Sequence, residues 1–188
     1  CSVVTQGSGE AVLSWAPTNG PMAELGLGKG GDVSALRVRV SCKRAKQLGH
    51  QTFNRLEFFL SGPNIEALRL LELSLAHQVG VVCQTTGRDP LRFSLSEEAI
   101  QQEGFAANQA LLPEDLRNFD GYRLLHEYFA FPARFSFISI NGFSKLIGQC
   151  KDEKSFDILI LLDKTDDRLE QVVEANHFAL HCTPELNL

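Results

Sequence analysis

From Ser34 onward the apolar residues fall into recognisable periods. "ALRVRVSC" (35–42) alternates, with Leu36, Val38 and Val40 on one face and Arg37 and Arg39 on the other, the pattern of a half-exposed strand. "RLEFFLSG" (55–62) reads as a second strand, stopped by Gly62 and Pro63. In "NIEALRLLELSLAHQVG" (64–80) Ile65, Leu68, Leu71, Leu75 and Val79 recur at helical spacing, and Glu66, Arg69 and Glu72 take the polar side. Asn64 is placed to cap this helix and Gly80 to end it, before a strand in "VVCQTT" (81–86). Residues 84–120 are polar with short apolar pieces, and 121–131 are helical by pattern. "RFSFISING" (134–142) alternates as a strand with a slip in phase, and Asn141-Gly142 is a strong turn signal. "SFDILILLD" (155–163) is almost continuously apolar and predicts a buried strand, "DDRLEQVV" (166–173) a short helix, and "HFALHC" (177–182) a final strand.

These elements predict an α+β fold, mostly β, of one or two antiparallel sheet or sandwich modules with helices packed across them. Residues 56–84 and 156–182 share the order strand, turn, helix, turn, strand. They lie about 100 residues apart, the size of one small module. The expected division is therefore a weakly patterned segment 1–33, a first β-α-β module at 34–105 and a second at 106–188, a quasi-repeat of the first.

The segment "GYRLLHEYFAFP" (121–132) carries the sharpest question about chemistry. His126-Glu127 opens the H-E-x-x-H helix of a zinc protease, whose two histidines must sit at i and i+4. The fifth position here is Ala130, so the second ligand is missing. On a helical wheel Arg123, His126 and Glu127 form one narrow polar stripe, with Arg123 and Glu127 at pairing distance. Tyr122, Leu124, Leu125, Tyr128, Phe129 and Phe131 cover the rest, and Pro132 ends the helix. A helix apolar almost all round is buried by its own domain or by a partner.

Other motifs resolve more simply. On one strand, His177 and His181 would lie about 13 Å apart, too far for one zinc ion together with Cys182. "GLGKGG" (26–31) matches G-x-G-x-x-G in letters only, because it precedes a strand and Lys29 is followed by Gly30. "DKTDD" (163–167) lacks the glycine and distant glutamate of a calcium loop, and Thr165 or Asp166 reads as a helix cap.

Composition narrows the function further. The 188 residues carry a formal charge of −5, which argues against charge-driven binding to nucleic acid or to an anionic membrane. No apolar run approaches the ~20 residues that span a bilayer. The first residues have no basic n-region and no starting Met, so the expectation is a piece of a longer polypeptide. Five widely spaced cysteines (Cys1, Cys42, Cys83, Cys150, Cys182) without C-x-x-C fit buried free thiols in a reducing compartment. Thirteen Phe, against one Trp and two Tyr, suit a dense core or a partner-binding face.

At "ALLPEDLRNFDGYRLLHEYFAFPARFSFISINGF" (110–143) the chain resembles the TssF family, the large wedge subunit of the bacterial type VI secretion baseplate. Tyr122, Arg123, Leu124, Leu125, Glu127, Tyr128, Phe129, Ala130, Phe131, Pro132 and Phe135 fill a family stretch that follows an "LLP" loop. "FALHCTPELNL" (178–188), and "LEFFLSG" with its leucine-rich helix, are also similar, so the resemblance covers most of 34–188. Ala133 and Arg134 stand where the family commonly has an acidic-basic pair, and residues 1–33 match poorly.

The resemblance implies a structural protein without catalytic, cofactor or metal residues. Its partners would be TssG, a second TssF copy, TssK, TssE, the VgrG hub and the sheath. Its place would be the cytoplasmic side of the inner-membrane complex in a Gram-negative bacterium. Tyr122, Leu125, Tyr128, Phe129, Phe131 and Pro132 are the structural or interface candidates. The alternatives are a small-ligand or carbohydrate-binding β-sandwich and an uncharacterised enzyme domain. Few Trp and Tyr side chains are present to stack on sugars, and an enzyme would need His126 and Glu127 deep in a pocket of convergent polar groups.

Overall fold

The computed structural model describes residues 2–3, 9–15, 34–41, 53–86, 89–112, 119–150 and 154–185. The elements in its first half are β1 (Ser2–Val3), β2 (Gly9–Trp15), β3 (Ser34–Ser41), β4 (Arg55–Leu60), α1 (Asn64–Ala76), β5 (Gln78–Thr85), β6 (Arg92–Ser94) and β7 (Ile100–Gln102). In its second half are α2 (Asp120–Ala130), β8 (Phe137–Asn141), α3 (Ser144–Gln149), β9 (Ser155–Leu162), α4 (Asp167–Val172), β10 (Phe178–Leu180) and β11 (Pro184–Glu185).

Among the described residues the strands form a five-stranded sheet, β2-β3-β9-β5-β6, a four-stranded sheet, β10-β4-β8-β7, and a β1-β11 ribbon. Every pairing is antiparallel. One cluster of buried side chains, from Val38 and Ile160 to Phe58 and Ile140, joins the two large sheets and takes in α1, α3 and α4. This is the α+β sandwich that the apolar pattern predicts. Strands from both halves of the chain enter both sheets. β4 and β10 pair in one, and β5 and β9 pair in the other.

The strands form where the pattern places them. β3 buries Leu36, Val38 and Val40 and leaves Arg37 and Arg39 half-exposed. β9 is central, paired on both edges, and an apolar run is what such a position requires. Its one acid, Asp157, is buried opposite Arg39 on β3, which donates to it through Nε at 2.7 Å and Nη2 at 2.9 Å. Buried phenylalanines also meet across the core, with Phe143 and Phe156 ring centroids 5.6 Å apart.

Several local expectations are corrected. Most of the expected apolar stripe of α1 is not the buried one: Ile65, Leu68, Leu75 and Val79 are exposed, Leu71 is half-buried against the core, and Ala67, Leu70 and Leu73 are buried. The helix carries leucine nearly all round, so periodicity alone leaves two stripes to choose from. Packing against β4, β5, β7 and β9 selects the one with the small Ala67. The cap position is Pro63, not Asn64, and the helix ends at Ala76 rather than Gly80. Val79 and Gly80 already belong to β5, where the register shifts between Gln78 and Gly80. The phase slip in "RFSFISING" is a 3-10 turn over Pro132–Ser136, after which β8 begins. Asn141-Gly142 makes its turn, with Gly142 at φ 107, but leads into α3 instead of a hairpin. His177 is buried in a 3-10 turn and His181 is exposed at φ 57, so they share no strand face. "GLGKGG" lies outside the described residues, whereas 9–15 of the weakly patterned segment form edge strand β2.

Candidate protein-binding interface

Helix α2 sits on the body of the protein with its polar side inward. Arg123, His126 and Glu127 are the narrow polar stripe of the helical wheel. Of the three, His126 is exposed, Arg123 is half-buried, and Glu127 is 2% exposed. Glu127 Oε1 accepts from the backbone N–H groups of Leu111 and Leu112, each at 3.0 Å, and from Arg123 Nη1 at 3.3 Å. Its other oxygen pairs with Arg134, also 2% exposed, from the 3-10 turn that follows α2. Arg134 Nη2 in turn donates to the carbonyl of Gln109, and its guanidinium lies over the Phe135 ring at 5.5 Å. Burial first, and the Arg123 charge second, lower the pKa of Arg134. One carboxylate thus ties together α2, the 109–112 loop and the 3-10 turn. Gly104, at φ 105, lets this loop pass close to the Arg134 carbonyl, where an added Cβ would come within 3.3 Å.

With the polar side inward, the apolar side of α2 faces out. Phe119, just before the helix, is 76% exposed, Tyr122 67%, Leu125 55%, Tyr128 52% and Phe129 79%. Of the interface candidates Phe131 is buried and Pro132 is exposed, so Phe131 belongs to the floor and the rest to the surface. The rings touch edge to face, Phe119 with Tyr122 at 6.2 Å and Tyr128 with Phe129 at 5.6 Å. This face continues into a groove of about 600 Å³ between α2 and α1, lined by Leu125 and Tyr128 on one wall and Leu68 and Leu71 on the other. Phe59, Phe131 and Phe135 also line it, while His126 and Glu127 do not. The exposed Leu68 that contradicts the α1 expectation is thus one wall of this groove.

Other polar clusters have structural tasks. Asp166 caps α4, accepting from the N–H groups of Arg168 at 3.0 Å and Leu169 at 3.1 Å, and pairs with Arg69 of α1 at 2.9 Å. Asp163 accepts from, or pairs with, His77 Nδ1 at 2.9 Å. Among the described residues no three His, Cys, Asp or Glu side chains converge as metal ligands. Cys83 and Cys150 are buried and Cys182 is half-buried, while Cys1 and Cys42 lie outside the described residues.

The family model for the type VI secretion system protein TssF matches residues 10–188. The chain belongs to the TssF family. It is 31% identical over 182 residues to the type VI secretion system component TssF1 of Pseudomonas aeruginosa PAO1, covering 97% of this chain and 28% of that protein. It shares its fold, at a TM-score of 0.70 and 21% identity, with a chain in the cryo-electron microscopy structure of the type VI secretion system TssK-TssF-TssG baseplate subcomplex. That match covers 96% of this chain and 30% of the other. The chain thus spans less than a third of the length of either protein chain it matches. Sequence reasoning found the family from the α2 stretch, but missed Arg134 as the partner of Glu127. Its signal was weak: Arg134 follows Pro132 by two positions in a turn that periodicity does not register.

Proposed function

We propose that this TssF-family chain is a structural part of a type VI secretion baseplate wedge, with no chemistry of its own, and that it works by holding protein neighbours. The partners proposed are TssG and TssK, named with TssF in the matched subcomplex, and, from the family resemblance, a second TssF copy, TssE, the VgrG hub and the sheath. The place proposed is the cytoplasmic side of the inner-membrane complex. No helix among the described residues is long and apolar enough to cross a membrane.

One observation carries the reading: α2 presents Phe119, Tyr122, Leu125, Tyr128 and Phe129 to solvent beside an apolar groove. Monomeric proteins rarely leave a contiguous apolar face of this kind uncovered, and rigid tyrosine and phenylalanine side chains are typical interface anchors. The test is co-purification of the chain with TssG and with TssK, each expressed separately. Leu125→Asp together with Phe129→Ser is expected to abolish capture of at least one of them while the melting temperature stays nearly unchanged. Full retention of both partners would remove α2 from the interface.

A further inference from the structure

We infer that Glu127 is the positioning residue of this surface: its buried contacts to Arg134, Arg123 and the amides of Leu111 and Leu112 hold the aromatic face of α2 toward solvent. Apolar burial alone favours the opposite orientation. Leu125 and Tyr128 already form one wall of a groove whose other wall is Leu68 and Leu71. A rotation of α2 about its axis toward α1 would press its aromatic side into that groove and return Arg123 and Glu127 to water, satisfying both. The helix nevertheless stands the other way. Among the described contacts, what opposes the rotation is the carboxylate of Glu127, engaged at both oxygens. Rotation would strip two backbone amides of their acceptor and leave Arg134 buried without its acid. Arg134 senses Arg123, whose charge, after burial itself, lowers the Arg134 pKa. A neutral residue 127 would therefore leave two guanidiniums in mutual repulsion and drive Arg123 outward. On this view Glu127 makes the binding face without touching the partner. The inference builds on the reading of α2 as an interface, but the orientation of the helix is measurable without any partner.

The chain has two tyrosines, Tyr122 and Tyr128, and both lie on α2. Nitration by tetranitromethane, followed by peptide mass spectrometry, therefore reports the exposure of this helix alone. Glu127→Gln removes the charge and keeps the side-chain shape. We expect it to slow nitration of both tyrosines by roughly fivefold, the drop produced when the outward state falls to about a fifth of the population. The far-UV circular dichroism should keep its helical signal. Unchanged nitration with helicity intact overturns the inference. Faster nitration with lost helicity also overturns it, because Glu127 would then be needed for the helix to exist rather than for its orientation. Should Glu127→Gln not fold, Arg134→Gln is read in the same way, and failure of both to fold makes the cluster a folding element and overturns the inference. Capture of co-expressed TssG separates the two readings. Slowed nitration with capture retained leaves Glu127 as the positioning residue and removes the α2 face as the TssG surface.

Discussion

Phe129 projects into solvent from α2, so its contribution to folding is small. Phe129→Ala is expected to change stability by no more than about 0.5 kcal/mol in chemical denaturation, against the 3–5 kcal/mol or so of a core phenylalanine. Asp166 works on a different principle. It satisfies two amides at the start of α4 and meets Arg69 across from α1. Asp166→Ala should cost ~1 kcal/mol, most of it from the lost cap, since the Arg69 pair is partly exposed and screened. Cys83 supplies a pH dependence. Burial, with Cys150 adding to it, pushes its thiol from 9.0 to about 12. The folded state therefore keeps the proton that the unfolded chain gives up. The stabilising effect is complete below pH 9.0 and is lost as pH rises toward about 12. Cys83→Ala should flatten the fall of unfolding free energy in that window by up to ~1.4 kcal/mol per pH unit. A cap at Thr165 or Asp166 and a buried thiol were readable from sequence, because a cap is a local feature and free cysteine is commonly buried. The exposure of Phe129 was not, because nothing local distinguishes an aromatic residue that meets its own core from one left for a neighbour.

At the scale of the element, α1 and α2 make the same point from opposite sides. Both exist where helical spacing predicts them, since that signal acts within one segment, although α1 ends before its expected Gly80 stop. Which face each helix buries is decided by what it packs against. α1 lies across strands of both sheets and buries Leu70 while Leu68 lines the groove. Leu70→Ala should cost about 2–5 kcal/mol and Leu68→Ala well under ~1 kcal/mol, measured by urea denaturation of the two variants side by side. If the apolar stripe read from the sequence were the buried one, the order would reverse. α2 inverts the ordinary amphipathic arrangement because a buried acid and two arginines, brought together from 123, 127 and 134, outweigh the pull on its aromatic side. Helical spacing finds the first two of these residues. The third arrives through a 3-10 turn, whose period of three falls outside both the helix and the strand templates.

Across the whole molecule, the two strand-helix-strand segments interleave. β4-α1-β5 begins in the four-stranded sheet and ends in the five-stranded one, and β9-α4-β10 runs the other way. Each contributes a neighbour to the other in both sheets. A chain cut after residue 105 would leave β3 and β5 without β9 between them, and the larger sheet without its centre. Residues 34–105 alone are expected to show no cooperative thermal transition by near-UV circular dichroism. Co-expression with 106–188 is expected to restore one. Independent melting of the 34–105 piece would show that the shared core is dispensable to it.

The sequence by itself determined the types of β3, β4, α1, β5, α2, β8, β9, α4 and β10, the antiparallel α+β class, the buried centre of the larger sheet and, through the α2 stretch, the family. These follow from local periodicity, turn chemistry and a contiguous residue pattern, all of which survive in one dimension. The tertiary structure decided the interleaving of the strands, the buried stripe of α1 and the inward turn of Glu127. Each of these is a choice between faces or partners of similar local composition. Contacts between residues far apart in the chain settle that choice, such as Arg39 with Asp157 and the 109–112 loop with α2. The aromatic face of α2 is legible as apolar in the sequence. It becomes a surface because the turn that follows α2 supplies the cation that holds Glu127 inside.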